Sequence, residues 1–449
     1  VAALQAVTTQ SQSVAIGYRA LYTSTANYNT AVGESSMGGA ATGAQHNVTL
    51  GYQAGHNLGA SRSIGIGAQA AQGSGTVDDN IGNDNIGVGY KALFSHTSGG
   101  NNVGIGHEAG YNITTGGNNV GIGHTSVDLI VDGDYNIGIG HVAMGAVDTG
   151  IDYNIALGYQ AGNYLGSNHN IALGYRSLYG SSTATDNTGV RNIGIGYEAA
   201  KDHTTGQDNV AVGFQAMKSI TTGDQNVAIG DRALDALTTG SRNIAIGTLA
   251  GSTTSTDMYG GIFLGLQAGL YMDGDYNIGI GEMAVEGSST AGNNTGSHNI
   301  GIGYQPMMNV TSGIDNVGLG KYALQDVSTG NYNIGIGHDA GKEITTGTGH
   351  IVIGKDSGDS ITDGSYNVLI GEDAGQDITS GRHNLILHAG NSAANAPLSA
   401  TDNEQLRISS DDKIWFAGYS GDLYLGRNHL QRLPSSGEDA AGFPLEIGA

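Results

Sequence analysis

The sequence predicts an all-β fold: a parallel β-solenoid of about 22 coils, built from one short unit used over and over. Three observations carry that prediction. Glycine supplies 78 of 449 residues, whereas Pro (4), Phe (5) and Trp (1) are scarce. An Asn-anchored pentapeptide, N-h-G/A-h-G with h an aliphatic residue, recurs along most of the chain, most often at a spacing of 17 residues. Within each copy aliphatic and minimal residues alternate, the period-2 mark of a strand with two unlike faces.

Internal repetition is decisive because it overrides any reading of a single copy. The anchor falls at Asn29, Asn47, Asn85, Asn102, Asn119, Asn136, Asn154, Asn170, Asn192, Asn209, Asn226, Asn243, Asn277, Asn299, Asn316, Asn333, Asn367 and Asn384. Ser13, Ser63, Gly261 and His350 fill the same slot. From Asn47 the spacings run 16, 22, 17, 17, 17, 18, together 107 residues, and the same order returns from Asn154. It returns again from Gly261 with the last spacing cut to 17, so three tandem blocks are read as duplications.

Each turn has two halves. In Asn333–Gly337 the alternation places Ile334 and Ile336 on one face, expected to be the core, and Gly335 and Gly337 on the other. The second half, A-x-x-x-h-T-T-G, is expected to hold another short strand ended by a turn, as in Ala340–Gly347 and Ala233–Gly240. Such units cannot close a core alone; stacked, they can. Glycine this dense excludes helix for most of the chain, and the lack of a three-residue glycine period with little Pro excludes collagen.

GIGHDA at Gly335–Ala340 also fits a phosphate-cradling G-x-G-x-x-G/A loop. That reading needs a long helix next. Here another turn follows, and GIGHEA, GIGHVA, GIGYEA and GIGEMA begin at Gly104, Gly138, Gly194 and Gly279. The glycines are read instead as room for a neighbouring backbone. Gly104, Gly138, Gly194, Gly279, Gly301 and Gly335 are accordingly expected to pack at the axis of an oligomer.

A formal charge of −23 disfavours nucleic acid and anionic membrane surfaces. No cysteine means no disulfide and no Cys-based metal site. No apolar run approaches the length that spans a bilayer, so no membrane insertion is expected in this segment. The chain opens on Val1 rather than Met, with the expectation of an excerpt or a processed product.

SVAIG at Ser13 and NIAIG at Asn243 resemble the head repeats of YadA-like trimeric autotransporter adhesins. The longer coil with A-L-x-x-h-T-T-G resembles the variant found in phage tail fibres, and Asn384–Gly418 is similar to the segment that often follows such repeats there. The resemblance implies a homotrimer of left-handed β-rolls and a structural fibre on a virion. Such a fibre is a rigid spacer that presents an end to a host receptor. The alternative is the head of a bacterial surface adhesin; an ice-binding solenoid is a third reading, from Thr114, Thr222, Thr239 and Thr346. Expected partners are other copies of the chain, a cell-surface receptor or glycan, and virion or surface-anchoring components.

The domain reading is a β-roll over 1–388 and a small β-rich cap or tip over 389–449, with a hairpin about SSDD. Trp415, Phe416, Tyr419 and Tyr424 are the candidate receptor contacts. Further candidates are weighed against plainer readings. The residue after the last Gly of the pentapeptide is often aromatic or His (His107, His124, His141, His338), expected as a ring ladder rather than a metal site. Asp132-Gly133-Asp134 and Asp273-Gly274-Asp275 read as Asp-Gly turns rather than calcium sites. The 22-residue turns should carry polar loops at Gly73–Asp84, Gly180–Arg191 and Gly287–His298. No nucleophile with a matching base stands outside the repeat, so neither enzyme activity nor a cofactor is expected.

Overall fold

Among the described residues nearly every turn contributes one three-residue strand, the centre of its pentapeptide, and within each of two units the strands are laid in register on those of the next turn. In the computed structural model the described residues are 12–147, 150–252, 257–289, 294–390, 400–410, 413–419 and 422–425. They fall into two compact units, Val1–Gln267 and Ala268–Ala449. In the first, fifteen strands from Val14–Ile16 to Ile262–Leu264 pair in parallel with their sequence neighbours. In the second, seven strands from Ile278–Ile280 to Leu385–Ala389 do the same. The fold is an all-β parallel solenoid of about 22 turns. Among the described residues the only helical segments are two single 3-10 turns, Val77–Asp79 and Ala184–Asp186.

The register makes columns: Ile334 lies beside Val317 and Ile351, and Gly335 beside Gly318 and Val352. The two faces are the reverse of the sequence expectation. The strand centre is the buried position and the flanking aliphatics are partly exposed, as in Ile334–Ile336 and Ile300–Ile302. Gly104, Gly138, Gly194, Gly279, Gly301 and Gly335 are all buried within the coil. They therefore do not supply an outward stripe for neighbouring chains. The physical reason is the coil's narrow bore, which takes a minimal side chain from the strand because larger ones enter from the opposite wall.

That wall is the column six residues later. A Cβ on Gly335 would lie 2.7 Å from Cγ of Leu324, which fills the space from the preceding turn. On Gly104 it would meet Cγ of Leu93 at 2.9 Å, and on Gly138 Cγ1 of Val127 at 2.7 Å. Where the strand centre is large, the opposite column shrinks. Val352 and Leu369 face Gly358 and Gly375, whose added Cβ would stand 2.8 Å from Leu369. Phe263 faces Gly251, at 3.0 Å. Interior volume is conserved turn by turn, as close packing requires. Gly337 serves the corner instead. Its φ is +137°, and a Cβ there would lie 2.5 Å from the carbonyl oxygen of Gly354. Only glycine can turn the strand out at that corner with the next turn so close.

The second half of the turn forms no strand among the described residues, contrary to expectation. It is a series of bends, tied to the next turn by backbone bonds such as Thr345 N to Thr362 O at 3.0 Å. Non-glycine residues recur there in the left-handed region, Leu324 at φ +52° and Asp339 at +56° among them. Corners that sharp interrupt the regular ladder, and Thr hydroxyls reinforce it. Oγ1 of Thr114 donates to the Val131 carbonyl and that of Thr221 to Thr238.

After the last turn the pairing changes. Leu385–Ala389 pairs in parallel with Leu406–Ser410, which pairs antiparallel with Lys413–Tyr419, and that strand with Asp422–Leu425. The expected hairpin is present, and Asp422–Leu425 adds a third strand to it.

Candidate functional site

The coil's most unusual exterior feature is its strand face. Ile and Val on either side of each strand centre form two outward columns; Ile105, Ile195, Ile229, Ile246, Ile302 and Ile336 are all exposed to about the same degree, 36–41%. β-Branched residues suit a strand wherever they point. An outward row of them repeated at every turn is a contiguous apolar surface of the kind that marks an interaction site.

Ring columns border this face. From His107 to Phe214 the slot after the pentapeptide is a continuous stack: His107, His124 and His141 sit 4.8 and 5.0 Å apart, with planes within 9° of parallel. Parallel planes one turn apart cannot converge on a metal, so the ladder reading holds for these three. On the other border, the slot before the anchor stacks Tyr135, Tyr153 and His169 at 5.0 and 5.2 Å.

Inside, the anchor column is a hydrogen-bonded spine. The backbone N–H of Asn333 donates to Oδ1 of Asn316 at 3.0 Å, while its own Nδ2 donates to that oxygen at 3.0 Å and to the Gly347 carbonyl at 2.8 Å. The same bonds recur at Asn209, Asn226, Asn299 and Asn316. Each buried amide is thereby satisfied, which a buried polar group needs. His350 substitutes for Asn with both ring nitrogens bonded. The repeat alignment located this column, but no role could be read from it, because a recurring Asn is equally a turn residue.

A second, half-buried ladder explains one Asp-Gly-Asp turn. Oδ1 of Asp134 accepts the Gly117 N–H at 2.6 Å, and Oδ1 of Asp152 accepts the Asp134 N–H at 2.7 Å. The first two long turns do project polar loops, with residues 75–76 and 78–79 exposed in one and 182–183 and 185–186 in the other. Each loop is pinned by a buried Asn, Asn80 and Asn187, whose amide donates to three carbonyls. Residues 290–293 of the third loop lie outside the described residues.

One group of side chains converges on a point. Nδ1 of His338 lies 2.9 Å from Oδ2 of Asp339 and 3.8 Å from Oδ1 of Asp356, one turn on. Among the described residues it is the one cluster of three His or carboxylate groups with metal-ligand spacing, all ligand atoms within 4.8 Å of one another. Asp339 Oδ1 is buried and has no hydrogen-bond partner among the described residues.

Several ionisable groups are displaced by burial. Desolvation pushes the carboxyls of Asp128 and Asp359 up to about 6 and that of Glu286 to about 7; the charge of Glu108 adds to the effect at Asp128. It pushes the rings of His96 and His203 down and that of His350 to about 4. These groups are scattered along the coil.

Of the expected receptor contacts, Trp415, Phe416 and Tyr419 fall on the strand Lys413–Tyr419 and Tyr424 on Asp422–Leu425. No helix among the described residues is long and apolar enough to cross a membrane. Comparison with family models and with curated proteins finds no match to this chain.

Proposed function

We propose that the chain is a structural fibre protein: a homotrimer of left-handed β-rolls that serves as a rigid spacer on a virion, in the manner of a tail fibre, and presents a host receptor-binding end. The observation that supports it is the outward Ile and Val face. A monomer would leave it in water along every turn, whereas three copies packed about a common axis bury it. The residues meeting at that axis are then Ile302, Ile336 and their column mates, not the glycines. The acidic exterior and the bonded hydroxyl columns suit a solvated rod better than an ice surface. Residues 389–449 are read as the tip or cap, and Trp415, Phe416, Tyr419 and Tyr424 as its candidate glycan contacts.

The test is assembly followed by localisation. Light scattering should give three times the chain mass of 45.6 kDa. Ile302→Asp with Ile336→Asp should give monomers with an unchanged β spectrum. A monomeric wild-type chain would overturn the trimer. Antibody labelling of purified particles should decorate a fibre, and removal of residues 389–449 should abolish adsorption to the host while the trimer persists.

A further inference from the structure

We propose that His338, Asp339 and Asp356 form a binding site for a divalent transition cation such as zinc. The inference stands on the geometry of the single chain and does not depend on how copies assemble.

Three features set this cluster apart from the acidic surface around it. The first is donor chemistry. One imidazole nitrogen and two carboxylate oxygens make a mixed set that suits zinc and its neighbours better than calcium, which takes oxygen alone. The second is convergence. Asp339 and Asp356 occupy one column on successive turns, and each aims an oxygen at the same ring nitrogen, at 2.9 and 3.8 Å. Ligand atoms around a tetrahedral zinc stand about 3.3 Å apart for bonds of roughly 2.0 Å. The two separations bracket that value, and all three ligand atoms lie within 4.8 Å of one another. The third is how the remaining oxygens are held. Asp356 Oδ2 is taken by Lys355 at 3.0 Å, and Lys355 also reaches Glu372 at 3.3 Å. Oδ1 is thus left facing the ring. Asp339 Oδ1, buried and without a hydrogen bond among the described residues, has Lys342 Nζ at 3.7 Å. The lysines fix the carboxylates in orientation, the office that outer partners perform at metal centres.

His338 is 44% exposed, so the fourth position opens to water or to a group on another molecule. The left-handed corner at Asp339 (φ +56°) is what brings its carboxylate beside the ring of the preceding residue. His107, in the same repeat slot, has Glu108 at 3.6 Å but is stacked on His124 and has no second carboxylate. It is the internal control.

Calorimetric titration of the full chain with zinc chloride alone should show one saturable site per chain. His338→Gln and Asp356→Asn should each weaken it by at least about tenfold, the usual scale for disturbing a metal centre. His107→Gln should leave it intact. Zinc should also raise the thermal midpoint of the wild type and of His107→Gln but not of the two site variants, whose zinc-free midpoints report that they fold. No saturable heat in the wild type overturns the proposal, as does binding that survives His338→Gln. In either case the cluster is a polar side-chain network only.

Discussion

The backbone N–H of Asn367 donates to Nδ1 of His350 at 3.3 Å, and Nε2 on the far side of the same ring meets the Gly364 carbonyl at 2.7 Å. The ring is thus fixed as the neutral tautomer with its proton on Nε2. It reproduces with two nitrogens what Asn does with an amide: it accepts from one turn and donates across the coil. A second proton would set a donor against a donor inside the spine.

The pH dependence follows with a definite sign. Burial lowers the ring to about 4 from its ordinary 6.5. The folded state is the poorer proton binder, so the stability from this site is complete above pH 6.5 and is lost as pH falls toward 4 and below. The shift corresponds to roughly 3 kcal/mol. His350→Asn, which restores the majority residue, should flatten this acid limb. Denaturation midpoints at pH 4, 5, 6 and 7.5 would show it, and parallel curves for the two proteins would count against the mechanism.

Asp128 has the opposite sign. Its folded carboxyl is raised to about 6 from 3.8, first by burial and then by the charge of Glu108. The site's contribution is complete below pH 3.8 and is lost as pH rises through 6. Asp128→Asn should therefore stabilise the protein at pH 8, by on the order of 1 kcal/mol once solvent screening is allowed for. At pH 4 it should change little. An equal gain at both values would point to packing instead of charge.

The interior columns predict coupling between positions far apart in sequence. Gly335→Val should destabilise by about 1–3 kcal/mol, because its methyls would overlap Leu324. Leu324→Gly alone should open a cavity costing about 2–5 kcal/mol. Together they recreate, with a smaller side chain, the Leu369–Gly358 arrangement found two turns on, so the double variant should fall well short of the sum. Chemical denaturation of the four proteins gives the coupling energy directly, and simple additivity would refute volume exchange.

Removing one spine residue should be costly even though no charge is involved. Asn333→Ala leaves the His350 N–H and the Gly347 carbonyl without their side-chain partners. At about 1–3 kcal/mol for each buried group left unsatisfied, this variant should lower the midpoint more than Thr345→Ala does. Thr345 donates a single bond from an exposed position. Thermal melts of both variants rank them.

Much of this architecture was legible from spacing alone. The Asn anchor, the period and the 22-residue turns gave the number of turns and the position of the loops, because a solenoid must repeat whatever closes its coil. The orientation of the strand was not legible. Ile-Gly-Ile has the same alternation whichever side faces in, and hydrophobic burial argues for the wrong one. What decides it is Leu324 reaching across the bore to Gly335, a contact between turns that no single repeat contains. The metal-ligand cluster was hidden for a related reason. His338 was visible as one member of a ring column with Asp339 beside it in sequence, while Asp356 lies one turn on and meets them only through the stacking.

The spine also bears on how such a chain changes size over generations. Since each turn bonds only to the turns beside it, and each 107-residue block opens on the spine slot, copying or excising a whole block leaves every column in register. Loss of residues 154–260 would join Tyr153 to Gly261, restoring the 18-residue spacing from Asn136 that both earlier blocks show. Reach is then a heritable trait altered in whole steps by recombination between blocks of matching spacing, with no new fold to be found at any intermediate.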